Sequence, residues 1–136
     1  MHMITNADIT IYNRVADREK KCFVYQAHYI PAVSFYTDQK VITGGAEVKS
    51  ADVYKIRIPE ESLEGYLPPD EFIKDPESGW SVENEDLFVV GKHGDIAGIT
   101  DLAKLHRPYG KVNSWSDNRR GGLPHIRIGG DVNGRI

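Results

Sequence analysis

Five histidines, one cysteine and several paired carboxylates are the residues of this 136-residue chain best suited to chemistry. His2, His28, His93, His106 and His125 stand apart. None has a His, Cys or acidic partner at the HxxxH or CxxC spacing that brings two ligands to one metal ion. His93, within Lys92-His93-Gly94-Asp95, reads as a turn between strands. Cys22 follows Lys20-Lys21, and a basic setting favours a thiolate, but no histidine is placed beside it by the sequence. It reads as a structural thiol. Glu60-Glu61 and Glu85-Asp86 are pairs that acidic surfaces carry without any acid/base role. There is no GxSxG, no P-loop and no GxGxxG opening a helix. The expectation is a protein that is not an enzyme, with no catalytic residue, no metal site and no cofactor.

Binding chemistry is better represented. Lys104, His106, Arg107, Tyr109, Lys111, Trp115, Arg119, Arg120 and Arg127 mix basic and aromatic side chains near the end of the chain. On a small barrel, Arg107, Tyr109, Lys111, Trp115, Arg119 and Arg120 would stack bases and meet phosphates. The competing reading makes Trp115 a core or interface residue, Arg119-Arg120 a solvated hairpin tip, and His125 and Arg127 the outer face of the last strand. The net charge of −3 argues against a dedicated nucleic-acid binder. That charge is uneven: +2 over residues 1–58, −9 over 59–95 and +4 over 96–136. Either a solvated acidic connection precedes ordinary surface charges, or acidic and basic surfaces lie on opposite sides of one subunit and draw copies together head to tail.

The elements that must position these residues are short strands. DITIYN from Asp8 alternates Ile9 and Ile11 against Asp8, Thr10 and Tyr12, the period of a half-buried strand. Cys22 to Ile30 puts Phe23, Tyr25, Ala27 and Tyr29 on one face, and Pro31 predicts a bend or an edge before Val33 to Thr37. Asp52 to Ile58 alternates Tyr54, Ile56 and Ile58 with polar neighbours, and Pro59 stops it. Pro69 to Lys74 and Thr100 to Leu105 allow only one or two helical turns each, since Pro76 and Pro108 end them. The continuous run Leu87 to Val90 suits a strand buried on both sides. A C-terminal hairpin over about 111–129 turns through Asp117 to Gly122. Polar connections are expected over about 37–51 and 60–85. The whole chain, 1–136, therefore reads as one mainly β domain. It is a small barrel or sandwich of about six or seven strands with long loops and a core from Ile9, Ile11, Phe23, Tyr25, Tyr54, Ile56, Ile58, Leu87, Val89, Ile126 and Ile128. No apolar run reaches the ~18 residues of a membrane span, and the N-terminus lacks a signal-peptide pattern, so the chain is expected to be neither membrane-bound nor secreted.

Four stretches carry a resemblance: DITIYN at Asp8, SADVYKIRIPE at Ser50, DLFVVGK at Asp86 and SWSDNRRGGLPHIRIGG at Ser114. Together they resemble an uncharacterised family of small proteins encoded among the structural genes of tailed phages and prophages of Gram-positive bacteria. The most specific element is Ser116-Asp117-Asn118-Arg119-Arg120-Gly121 followed by His125 to Gly130. Tyr29 to Tyr36 departs from the Trp-containing, more basic pattern of that family. The resemblance implies a virion or prophage structural role, with other phage structural proteins as partners and a ring of identical copies in the assembled particle. It assigns no catalytic residue. Head-closure and tail-completion proteins are similar in layout, being small β-barrels with extended loops and a C-terminal hairpin. On this reading the protein is a head–tail connector or proximal-tail adaptor, found in the virion or the host cytoplasm. Trp115, Asp117, Asn118, Arg119, Arg120 and Gly121 form its candidate interface.

Overall fold

The period-2 stretches become six antiparallel strands in a computed structural model that describes residues 4–17, 19–44 and 47–132. They are β1 (Ala7–Asp17), β2 (Cys22–Gly44), β3 (Glu47–Pro59), β4 (Leu87–Val90), β5 (Tyr109–Asp117) and β6 (His125–Val132). Neighbours follow the order β1-β2-β3-β6-β5-β4, and β4 pairs back onto β1, so the sheet closes into a barrel. Two short helices, α1 (Pro69–Lys74) and α2 (Ile99–Ala103), lie in the connections flanking β4. The mainly β reading with brief helical turns holds.

Two cores share the sheet. Inside the barrel, Ile9, Ile11, Ile30, Ile56, Ile58, Phe88, Val112, Ile126 and Ile128 are buried together with Trp80 and Val82. Outside it, Tyr12, Leu87, Val89 and Leu102 are buried where α2 covers the outer face. The run Leu87-Phe88-Val89 is therefore apolar at every position because β4 packs on both faces. Phe88 is accommodated by glycines on the adjacent β5 and on β6 beyond it: a Cβ at Gly110 would lie 2.8 Å from its ring and one at Gly130 2.4 Å from it.

Three expectations change. Phe23 is not core but 55% exposed, and Tyr25 and Ala27 pack on the outer cluster. The inward face of β2 is the opposite one, with Ile30 buried and His28 stacked on Trp80 at 4.6 Å between ring centroids. Pro31 does not separate two strands, since β2 runs through it. It falls where Ile9↔Ile30 gives way to Ala7↔Val33, so two residues of β2 oppose Asp8 alone, and at such a bulge a missing N–H removes no ladder bond. Finally, the connection expected over 37–51 is mostly paired strand: β2 and β3 stay in register from Ser34↔Arg57 to Gly44↔Glu47. Pairing of β1 with β2 ends at Val33 and pairing of β6 with β3 at Val53, so residues 38–44 and 47–52 continue out of the barrel as a two-stranded arm.

The connection over 60–85 is present but folded. It contains 3-10 turns at Glu60–Ser62 and Pro76–Ser78, helix α1, and an isolated parallel bridge between Tyr66 and Trp80. Leu63, Phe72, Trp80 and Val82 from it are buried, so this acidic segment is anchored by its few apolar residues.

Candidate functional site

The C-terminal hairpin forms where expected, β5 turning into β6 with Asp117 opposite Ile126. Its tip is self-bonded. The Asp117 carboxylate accepts from Arg119 Nε at 2.8 Å and Nη2 at 2.6 Å and from the Arg119 backbone N–H at 3.1 Å. The hydrogen bonds from Arg119 hold the Asp117 carboxyl below the usual carboxylate range. The guanidinium also sits 5.3 Å from the Tyr66 ring centroid, tying the tip to the 60–85 connection. The Asn118 N–H donates to His125 O at 2.9 Å and its Nδ2 to Ser116 Oγ at 3.1 Å, while Gly121 N–H donates to Asn118 O. Arg120 is exposed and has no ion pair among the described residues. Trp115 is half-buried against the inner core, and its Nε1–H reaches Glu83 Oε1 at 3.2 Å. Of the expected interface, then, Asp117, Asn118, Arg119 and Gly121 shape the hairpin, and Arg120 is its free cation.

The alternative nucleic-acid set is not brought together. Tyr109 and Asp117 are the two ends of β5, eight steps or roughly 26 Å apart at ~3.3 Å per residue. Tyr109 packs on the outer cluster, and Lys111 pairs with Glu85 at 3.5 Å. Arg107 lies at the same end, beside Gly91, whereas Arg119 and Arg120 are at the other. Among the described residues no group of three or more His, Cys, Asp or Glu side chains is placed to hold a metal. His28 is lowered by burial, His93 Nε2 lies 3.1 Å from Val90 O, and Cys22 is exposed.

The sequence reading misses a site at the barrel seam. Strand β4 begins at Leu87, opposite Tyr12 of β1 and Lys111 of β5, and ahead of it the gap is closed by side chains. Asn13 exchanges hydrogen bonds with the backbone of Ser81, its Nδ2 donating to Ser81 O at 2.6 Å and its Oδ1 accepting from Ser81 N at 3.1 Å. Asp86, 2% exposed, accepts from Asn13 Nδ2 at 2.8 Å, Arg14 N at 2.9 Å and Glu83 N at 3.0 Å. Burial pushes its carboxyl up to about 6 against the pull of those donors, with the Glu83 charge adding to the rise.

Beside this seam lies a groove of about 590 Å³ between β1 and α1. Arg14, Val15 and Ala16 form one wall; Phe72 and Ile73 form the other. Phe23 and Ile73, 55% and 76% exposed, stand on its rim, and the Arg14 guanidinium lies 4.2 Å from the Phe23 ring centroid. The size is that of a ligand or peptide site. One sequence signal for it exists: adjacent Phe72 and Ile73 on a six-residue helix point about 100° apart, so both cannot face the core.

No curated protein matches the chain. Residues 4–131 match the model of a family of unknown function, DUF6751. That match begins before β1 and runs to Asp131 in β6, taking in nearly the whole barrel, its arm and its seam, so the chain belongs to this family.

Proposed function

We propose that the protein is a non-enzymatic structural adaptor of tailed phages or prophages, acting at the head–tail junction or in the proximal tail by protein–protein assembly. The observation that carries this reading is the arm. Among the described residues, 38–44 and 47–52 pair with each other and with no third strand, and a lone two-stranded ribbon is marginal in water. A chain that extends such a ribbon from a closed barrel gains most when another chain completes it. The four-stretch resemblance to phage structural proteins supplies the setting, and the exposed Arg120 at the hairpin tip offers a second contact. The division of the basic residues between the two ends of β5, with Lys111 and Arg119 already paired to acids, weighs against nucleic acid as the main partner. In the particle the protein belongs to the virion, and before assembly to the host cytoplasm. No helix among the described residues is long and apolar enough to cross a membrane.

Electron microscopy of induced prophage particles carrying a labelled copy tests the reading. Label at the junction or proximal tail is expected. A protein missing from purified virions would overturn it.

A further inference from the structure

The seam groove and the arm are complementary, and they sit at opposite ends of one strand. Arg14 N donates to Asp86 Oδ1, and Gly91 N donates to Asp8 O, so the even-numbered residues of β1 turn their backbone groups away from β2. Strand β4 takes up those of Thr10 and Tyr12 through Val89 and Leu87. The Asp86 side chain takes the N–H of Arg14. Two residues on, the N–H and C=O of Ala16 point to the same side, and no strand among the described residues covers them. Ala16 is exposed and lines the groove with Phe72 and Ile73 opposite. A strand edge that is open, next to a cavity with apolar side chains on its far wall and rim, is the form of site that accepts an added strand: backbone bonds on one side, side-chain pockets on the other.

The arm is a strand source with the matching deficit. Beyond Val33 and Val53 the outer edges of β2 and β3 have no partner strand among the described residues. Within one copy the two features cannot meet: β2 starts at Cys22, paired with Asp17 beside the groove, and ends at Gly44, the far end of the arm. The 22 steps between them span roughly 70 Å of extended chain at ~3.3 Å each, and the arm leaves the barrel away from its own groove.

We infer that the arm of one copy adds as a strand to the β1 edge at Ala16 of a second copy, in the groove between Phe23, Phe72 and Ile73. Donor and acceptor are different surfaces, so the contact is heterologous and repeats from copy to copy as a ring, or as a filament where the rotation does not close. Each copy then covers one neighbour's edge with its arm and has its own edge covered by the arm of another. This deepens the adaptor reading and rests on it for its biological setting, while the contact itself is testable without a phage particle.

The test uses purified full-length protein and three variants, with folding checked by circular dichroism and thermal melting. One variant replaces residues 39–51 by Asn-Gly and so lacks the arm but keeps the groove. A second, Ala16→Pro, removes the edge N–H but keeps the arm. A third, Ile73→Asp, charges an exposed rim position where the fold has little at stake. Sedimentation velocity across a concentration series is expected to show wild-type oligomers beyond dimers. Each variant alone should need at least ~10-fold higher concentration to associate. Mixing the arm-shortened chain with Ala16→Pro should give one-to-one pairs that grow no further, since one supplies the only groove and the other the only arm. Wild type that stays monomeric to its solubility limit would overturn the inference, as would oligomers that survive all three changes. A monomeric wild type that reaches virions, while Ile73→Asp does not, would overturn it in favour of a groove for another virion protein. A wild type that self-associates but is absent from virions would sink the adaptor reading alone.

Discussion

Asp86→Asn should change in relative stability with pH by about 3 kcal/mol, because its carboxyl is buried at the seam. The unfolded chain releases this proton near 3.8 and the folded protein near about 6, a gap of about two units, at ~1.4 kcal/mol each. Between those values the folded state holds the proton more tightly, so rising pH erodes stability. The contribution is fully present below about pH 4, is lost as pH rises through 6 and is gone by about pH 7.5. His28 runs the other way, since burial lowers its pKa and folding gains as pH climbs towards 6.5. Asp101 and Asp117 have lowered carboxyls, and their stabilisation is lost only on the acid side of the window. Taking the difference between wild type and Asp86→Asn cancels these terms. At pH 4 the variant should be the weaker by about 1–3 kcal/mol, because its amide NH₂ replaces an acceptor among the N–H donors of Asn13, Arg14 and Glu83. By pH 7.5 the deficit should vanish or reverse. Urea unfolding of both proteins at half-unit steps measures this directly. A difference that stays flat, or widens towards neutral pH, would refute the reasoning, for then the three donors outweigh burial and the carboxylate is the native form.

Three further outcomes are expected. Gly130→Ala would set a Cβ 2.4 Å from the Phe88 ring and should cost about 1–3 kcal/mol in urea unfolding, part of it recovered by adding Phe88→Leu. The Tyr12 phenol is pushed up to about 12, first by burial and then by Asp95, while its O–H donates to Gly94 O at 2.7 Å; in an ultraviolet absorbance titration, Tyr12→Phe should remove a tyrosine that ionises near pH 12. Arg119→Ala breaks an exposed ion pair, so it should change unfolding free energy by no more than about 1 kcal/mol, and a larger loss would mean that the Tyr66 contact holds the hairpin to the barrel.

Much of the barrel is legible where one face of a strand meets one core. Ile9 and Ile11, Ile56 and Ile58, Ile126 and Ile128 alternate cleanly, and all are buried. The unbroken run at Leu87 to Val89 equally announces a strand packed on both sides. In β2 the same rule picks the wrong face, because Phe23, Tyr25 and Ala27 form an apolar outer row while the inner row includes His28, a polar residue made apolar in function by stacking on Trp80. The arm reads as a loop because its sequence over about 37–51 is mostly polar and broken by Gly44-Gly45, with no sustained apolar alternation. The hairpin tip is found from its turn residues, but its side chains serve one another first, which spacing alone does not show. Of the groove, the sequence shows only that Phe72 and Ile73 cannot both face the core, since its walls come from β1, β2, α1 and the segment before β4, drawn together only when the barrel closes.

That closure also explains why an open edge exists at all. Strand β4 has four residues against eleven in β1, so it can cover only part of its neighbour. It cannot begin earlier, because Glu85 sits at φ 79, a left-handed conformation that a strand does not contain and that costs a residue with a Cβ roughly 1 kcal/mol. The turn is held from two sides, by the N–H of Glu85 on Val112 O at 2.9 Å and by its carboxylate near Lys111 at 3.5 Å. Where the next residues of β4 would have paired with β1, the Asp86 carboxylate reaches across to the N–H of Arg14 instead. A side chain can satisfy one such group and then stops. The strained residue that shortens β4 and the buried acid that replaces its next bond therefore fix how far the barrel is sealed, and the backbone of Ala16 is the first position beyond that seal.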